Sequence, residues 1–479
     1  MLCCKERVRR MKNLFGMLLL GMFALAVTGK DIDLEKHVKQ HWLLFQNKKI
    51  EVAPLVRWKA SDEVKAQRLE YFKNCIRKFA PYLLDEYARI DKALGLPPDT
   101  YLGIMRFGAK LSDPSSKPEH ECTSWIMMPD VTGGKSILMH KNRDSRGRPL
   151  VLQRRAVPGK HAWIGNGWCA SFNPTQGIND RGVVVFMNSG DPVMEVENTQ
   201  YGMGTTLIAR ILLEECGTAE EAVRLLTRII QENAFTHVEC GSIYFIGDRN
   251  NVYIVESTTR VAVTKAVNSG LIVRANTFHY PELQKYSLNN PKRMGAYARR
   301  EFAVRDHLIQ AWREKSLITP YDNAEASRID QVRDNWPKCT PPCSKSTISA
   351  TTFSIDLEYP EYLSTAYMVF SSPRSACYLP VPVTIDELPD ELMNGKFSAR
   401  CFDRMDKNQP FLPEKELKEL ETRLYKRHAD AVEAARLELH KNADRTKAAA
   451  ILKKAFQANW ADLIAAEVKP CGTDPKSKQ

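Results

Sequence analysis

Residues 122–144 read CTSWIMMPDVTGGKSILMHKNRD. Two strand-like runs, CTSWIMM and SILMHKN, flank the turn formers of Asp130–Lys135 (DVTGGK), and the pattern predicts a β-hairpin. Just upstream, Ser112–Glu121 (SDPSSKPEHE) is crowded with prolines, serines and charges and predicts an exposed loop. A cysteine at the start of a strand is ordinary by itself, because most cysteines serve as small hydrophobes. The return strand gives it weight. Its end, Lys141-Asn142-Arg143-Asp144, brings an amide, a carboxylate and two cations back towards the thiol, surroundings that favour thiolate and orient a neighbouring amine. By spacing alone, a structural hairpin with a solvated KNRD end fits equally well.

Outward from the hairpin the strand texture continues through GVVVFMN, GSIYFIG, NVYIVES, RVAVTKA and GLIVRANT. Two helices interrupt it. One runs over roughly 204–215; the next starts at Thr218, where Thr218-Ala-Glu-Glu221 predicts a capping box ahead of Ala222, Val223, Leu226, Ile229 and Ile230. Residues 291–332 read as helical and 333–349 as a loop, and ISATTFSI, AYMVFSS and ACYLPVP return to strands. Residues 32–98 and 413–468 carry apolar side chains every three or four positions among many charges, the mark of amphipathic helices. Strands in a row, then paired helices, then strands again imply an α+β chain of stacked antiparallel sheets covered by helices.

At 479 residues and 43% hydrophobic, the chain can bury a full core. Of its formal charge of +12, Lys5, Arg7, Arg9, Arg10 and Lys12 against Glu6 place +4 in residues 1–29. The remainder is dispersed, with no basic block or base-reading motif, so no nucleic-acid partner is expected. Those cations precede the apolar run LFGMLLLGMFALAV (14–27) and small residues suited to signal peptidase, so residues 1–29 read as a secretory signal. The run is short for a membrane span, and no later segment is longer and more apolar, so no stable span is expected after signal removal. Cys339 and Cys343, separated by Thr-Pro-Pro, are the best local cysteine pair, as a disulfide or as two free thiols. One C-x-x-x-C without a second pair or nearby histidines argues against zinc.

Six motifs in order resemble a known family: CTS (122–124), KNRD (141–144), GINDRGV (177–183), RANTFHY (274–280), NPKRMGAY (290–297) and SSPRSACYLPV (371–381). The chain resembles the N-terminal-nucleophile (Ntn) cysteine amidases, which include choloylglycine hydrolases, isopenicillin N acyltransferases and a group of cysteine dipeptidases. The resemblance implies the Ntn-hydrolase fold, a four-layer αββα sandwich of two antiparallel sheets, with a helical pro-segment (30–121), a catalytic domain (122–405) and a helical C-terminal tail (406–479). It implies that the Glu121–Cys122 bond is cut autocatalytically, that Cys122 is the nucleophile and that its own α-amine is the base. A free α-amine has a reference pKa of about 7.7–8.0, which suits proton exchange near neutral pH. Carried over position by position, the family's RN-x-D falls on Lys141, Asn142 and Asp144, with Asp144 holding the amine. Asn179 then matches an oxyanion-hole amide, Asn276 a second polar group lining the hole, and Arg293 a substrate-side arginine.

Two positions depart from the pattern. Lys141 stands where most members have arginine and lacks that residue's planar fork, and Glu121 stands where several have glycine or methionine. Arg143 is nearby, but strand alternation is expected to turn its side chain the other way. The expected activity is that of an exported amidohydrolase or acyltransferase working through a thioester on Cys122, without metal or cofactor, on a small amide or dipeptide. A pro-segment retained as a small subunit and a homo-oligomer are both compatible with the resemblance. A cysteine dipeptidase of the same fold and a non-catalytic binding relative are the alternatives.

Overall fold

The computed structural model of the protein describes residues 31–41, 62–107, 122–145, 148–169, 171–193, 202–236, 240–289, 291–330 and 341–468. The expected signal, Glu121 and Cys339 lie outside them.

The hairpin is present as β1 (Cys122–Met127) and β2 (Ser136–Asp144), antiparallel, with Cys122 opposite Arg143, Ser124 opposite Lys141 and Ile126 opposite Met139. Gly133 and Gly134 in its turn have φ of 78° and 81°, a left-handed backbone that a side chain would resist. With β10 (Leu271–Arg274), β11 (Thr347–Asp356), β12 (Thr365–Val369) and β13 (Leu379–Pro382) the hairpin forms a six-stranded sheet in the order β10-β1-β2-β11-β12-β13. A second, seven-stranded sheet runs in sequence order: β3 (Leu150–Arg155), β4 (Trp163–Trp168), β5 (Gln176–Asn179), β6 (Val184–Pro192), β7 (Cys240–Gly247), β8 (Val252–Ser257) and β9 (Ala262–Ala266). Every pairing in both sheets is antiparallel.

The sheets lie face to face. Ile126, Met139, Phe353 and Ile355 from one meet Ile164, Ile178, Phe186 and Phe245 from the other in a single buried cluster, and Phe186 stacks within 6.2 Å of Phe353. Because successive strand residues point to opposite faces, the same register commits Trp125, Met127 and Leu138 to the outer face of the six-stranded sheet. There they pack with Val304 and Leu308 of one helix and Ala326 of the next.

The helices, in chain order, are α1 (Leu34–His41), α2 (Asp62–Phe79), α3 (Tyr82–Leu94), α4 (Thr100–Phe107), α5 (Thr205–Glu215), α6 (Ala219–Gln231), α7 (Pro281–Gln284), α8 (Pro291–Lys315), α9 (Pro320–Ser327), α10 (Pro360–Leu363), α11 (Asp390–Met393), α12 (Lys396–Asp406), α13 (Glu414–Asn442) and α14 (Arg445–Val468). Helices α8 and α9 cover the outside of the hairpin; α13 and α14 pair with each other and close over β13. Helices α5 and α6 cover the seven-stranded sheet. Thr218 does cap α6, accepting from Glu221 N, but the Glu221 carboxylate takes Gly217 N–H, one residue earlier than a capping box requires. The box forms instead at Thr319 and Asp322, ahead of α9.

The described part of the expected pro-segment, α1–α4, packs beside α5 and α6, where Phe72, Ile76, Leu83, Ile90 and Leu102 share a core with Leu207, Ile211 and Val185. Ions are buried at this contact. Glu86 of α3 accepts from Arg210 at 2.7 Å on each oxygen and from Arg155 at 3.2 and 2.9 Å. Arg210 also bonds Glu214, whose other oxygen accepts from the Tyr82 hydroxyl, while Asp31 grips Arg155 through both oxygens. Burial would raise the Glu86 pKa, but the charges of Arg155 and Arg210 overcome it and hold the carboxyl far below its ordinary range.

Candidate active site

Along the hairpin the face between the sheets changes from hydrocarbon to polar. On β1 the inward residues run Ile126, Ser124, Cys122, and on β2 they run Met139, Lys141, Arg143. Across β11 they are matched by Phe353, Thr351 and Ser349. The facing sheet changes in step: Phe186 gives way to Asn188 on β6, Ile178 to Gln176 on β5 and Ile164 to Asn166 on β4. Contacts bridge the two: Gln176 Nε2 donates to Thr351 Oγ1 at 2.6 Å, and Ser124 Oγ donates to Asn188 Oδ1 at 2.8 Å. A thiol at this end of the sandwich faces hydrogen-bonding groups instead of packed hydrocarbon.

Cys122 is 6% exposed. Its backbone N–H donates to Asn276 Oδ1 at 2.6 Å, and Asn276 Nδ2 donates to Ser189 O at 2.8 Å, so the carboxamide is fixed in orientation. Lys141 lies beside the thiol. Burial lowers its pKa below the ordinary lysine value, and the neighbouring Cys122 opposes that shift. Its ammonium donates to the Met187 carbonyl and to Asn188 Oδ1, which ties the hairpin to β6. Asn188 spends its own amide hydrogens on the carbonyls of Arg274 and Ala275, at 3.3 and 3.0 Å. One asparagine therefore braces the lysine and the chain that carries Asn276.

Arg143 corrects the sequence reading. It lies two residues from Lys141, so alternation puts both on one face, with Arg143 directly across the ladder from Cys122. Burial lowers its pKa to about 10, the thiol again opposing, so the guanidinium is charged at neutral pH.

Asn142 and Asp144 occupy the other face, towards α8 and α9. Asn142 Nδ2 donates to the carbonyls of Ser327 and Pro342, and its Oδ1 contacts His140 Nε2. His140 stacks on Trp125 at 3.9 Å, and burial pushes its pKa down to about 3, so the ring is neutral. Asp144 Oδ1 accepts from Thr347 Oγ1 at 2.5 Å, and its other oxygen lies 3.6 Å from Arg300. These two residues fasten the end of β2 to its covering helices. The expected hold of Asp144 on the Cys122 nitrogen is taken by Asn276.

Asn179 is also corrected. It ends β5 on the outer face of the seven-stranded sheet, opposite Trp163, which packs towards α5. Both its amide hydrogens go to carbonyls, Leu213 and Cys216, and its oxygen accepts from the N–H groups of Arg181 and Val183. No donor is left for an oxyanion. The asparagine that the hairpin engages is Asn188, whose only signal in the sequence is a polar residue closing the run VVVFM. Arg293 falls in the first turn of α8, and its side chain lies outside the described residues. Cys343 is a buried free thiol 3.6 Å from Ser372 Oγ. Among the described residues no group of His, Cys, Asp and Glu could hold a metal ion, and no helix is long and apolar enough to cross a membrane.

Two antiparallel sheets face to face, with helical layers on both outsides, define the class: a four-layer αββα sandwich, here with a cysteine opening the central hairpin. Residues 131–316, less than half of the chain, match the acyl-coenzyme A:6-aminopenicillanic acid acyl-transferase family. The match begins in the hairpin turn, past Cys122. Similar solved structures include an N-acylethanolamine-hydrolyzing acid amidase ortholog from Caenorhabditis elegans, with 16% identity, TM-score 0.33, and coverage of 48% of this chain and 92% of that one. A mutant conjugated bile acid hydrolase from Clostridium perfringens gives 12%, 0.37, 56% and 95% in the same terms. Penicillin V acylase from Agrobacterium tumefaciens gives 14%, 0.35, 55% and 87%. No curated protein matches the chain.

Proposed function

We propose that the protein is an exported amidohydrolase or acyltransferase that matures by cutting its own Glu121–Cys122 bond and then works through a thioester on Cys122. The observation that carries this reading is the bond from Cys122 N to Asn276 Oδ1 beside a buried lysine. After the cut that nitrogen is an α-amine, already oriented by an acceptor, and the thiol it must deprotonate belongs to the same residue.

The amine takes the thiol proton, with the Lys141 ammonium beside the sulfur. Sulfur attacks the amide carbonyl. The oxygen charge that develops needs fixed donors, and Asn276, with one amide hydrogen beyond its bond to Ser189, is the candidate that the geometry supports. The α-ammonium returns its proton to the leaving amine as the C–N bond breaks, which leaves a thioester. Water then gives hydrolysis; an amine gives acyl transfer. In this scheme Asn188 and Lys141 hold the charge in place, while Asn142 and Asp144 hold the strand.

Intact-mass analysis of purified protein, with and without Cys122→Ala, tests the reading. Wild type should yield a fragment beginning at Cys122, and the variant a single uncut chain. Wild-type protein that stays uncut yet cleaves amides would refute the α-amine as base.

A further inference from the structure

Amide cleavage at Cys122 needs one cation beside the thiol, and Lys141 supplies it. Arg143 is a second. Its Nη1 is shut away from solvent and donates to nothing among the described residues, and its one hydrogen bond there is a 3.5 Å contact from Nη2 to Ser145 Oγ. No carboxylate pairs with it among the described residues, since Asp144 turns to the other face of the strand. A half-buried guanidinium that no described carboxylate meets is costly, because its enclosed Nη1 has given up water without a counter-charge among the described residues.

A neighbour shares this incompleteness. Ser349, opposite Arg143 on β11, has a buried Oγ without a partner, a hydroxyl able to donate to an oxygen placed beside it. A planar fork of donors beside a free hydroxyl donor is the arrangement that receives a carboxylate through two parallel bonds.

We propose, resting on the amidase reading above, that Arg143 is the subsite for a carboxylate carried by the substrate. Cross-strand partners have Cβ atoms about 4.5–5.5 Å apart, so the fork sits close to the sulfur, and the carboxylate must lie within a few bonds of the scissile carbonyl. An N-acyl α-amino acid has this form, with its carboxyl carbon two bonds from the amide nitrogen. The substrate class is therefore amides with an anionic leaving amine, in preference to neutral amides of the same acyl chain.

The test compares an N-acyl amino acid with its neutral carboxamide on the mature enzyme. Wild type should favour the acid in kcat/KM by on the order of 100-fold, mostly through KM. Arg143→Gln should abolish the preference; Arg143→Lys, a point charge without the fork, should keep part of it. Absence of a preference in wild type would overturn the proposal. So would an equal loss on both substrates in Arg143→Gln with a shifted pH profile of Cys122 alkylation, since the arginine would then act on the thiol. If the mature protein cleaves neither compound, the amidase reading fails, and protection of Cys122 from iodoacetamide by the N-acyl amino acid still reads the subsite. Protection lost in Arg143→Gln supports it, and no protection in wild type refutes it.

Discussion

Glu86→Gln should loosen helices α1–α4 from α5 and α6. The carboxylate is 2% exposed and accepts four N–H contacts from Arg155 and Arg210. Glutamine keeps the shape, but it replaces a negative oxygen with an NH₂ directed at guanidinium nitrogens, leaving two buried cations with less counter-charge. Removing one partner of a buried ion pair costs about 3–5 kcal/mol, and at about 2.1 cal/mol/K of unfolding entropy per residue a 479-residue chain loses about 1 °C of Tm per kcal/mol. The expected drop is about 3–5 °C. Glu70→Gln is the control, because Glu70 is 56% exposed and its nearest cation is 3.7 Å away; an exposed pair contributes about 1 kcal/mol or less. Thermal unfolding in a Cys122→Ala background keeps both comparisons on one continuous chain. Glu86 is held below its ordinary pKa, so its contribution is present above the usual carboxylate range and is lost as pH falls from there towards its folded value. The difference between wild type and Glu86→Gln should therefore narrow in acid. Equal melting of Glu86→Gln and Glu70→Gln at neutral pH would refute the reasoning.

Asn179→Ala should lower stability through its four lost hydrogen bonds and leave kcat within a few-fold, measured by melting and steady-state kinetics; a kcat loss of a hundred-fold without destabilisation would restore it to the site. Asn276→Ala should instead reduce turnover on the order of 10²–10³-fold, with little change if the residue only shapes a loop. Burial lowers the Lys141 pKa, so its charge disappears below the pH expected of an exposed lysine, and kcat/KM should fall there on the alkaline side. Lys141→Met should lack that limb in a pH–rate profile. Residues 1–29 should be missing from protein recovered outside the cell, and cytoplasmic protein with Met1 intact would end the export reading.

Local chemistry made much of this fold legible. The hairpin, the strand series, α8 and the C-terminal pair all follow from periodicity and turn residues. The site was less legible, because its geometry comes from two sheets meeting. Asn179 stands in a family-like motif, yet it ends a strand on the face that looks away from the other sheet. Asn188 closes a run that reads as plain hydrocarbon, and nothing local says that Ser124 and Lys141 will reach it. Arg143 was recoverable from β2 alone, since a two-residue step returns to the same face. The Glu86 cluster joins residues 69 and 124 positions apart, a distance no local pattern spans.

The tetrapeptide Lys141-Asn142-Arg143-Asp144 is written in two interleaved scripts. Its odd positions address the thiol of Cys122 and its even positions address α9, Arg300 and the loop before β11. Chemistry and assembly are thus encoded at alternate letters of one word, and no segment exchange can transplant either alone. A graft of the whole stretch into another scaffold would import fastenings made for this chain's own α9, Arg300 and pre-β11 loop. Substitution at single odd positions is the route by which such a strand can change what it reacts with while keeping what it is attached to.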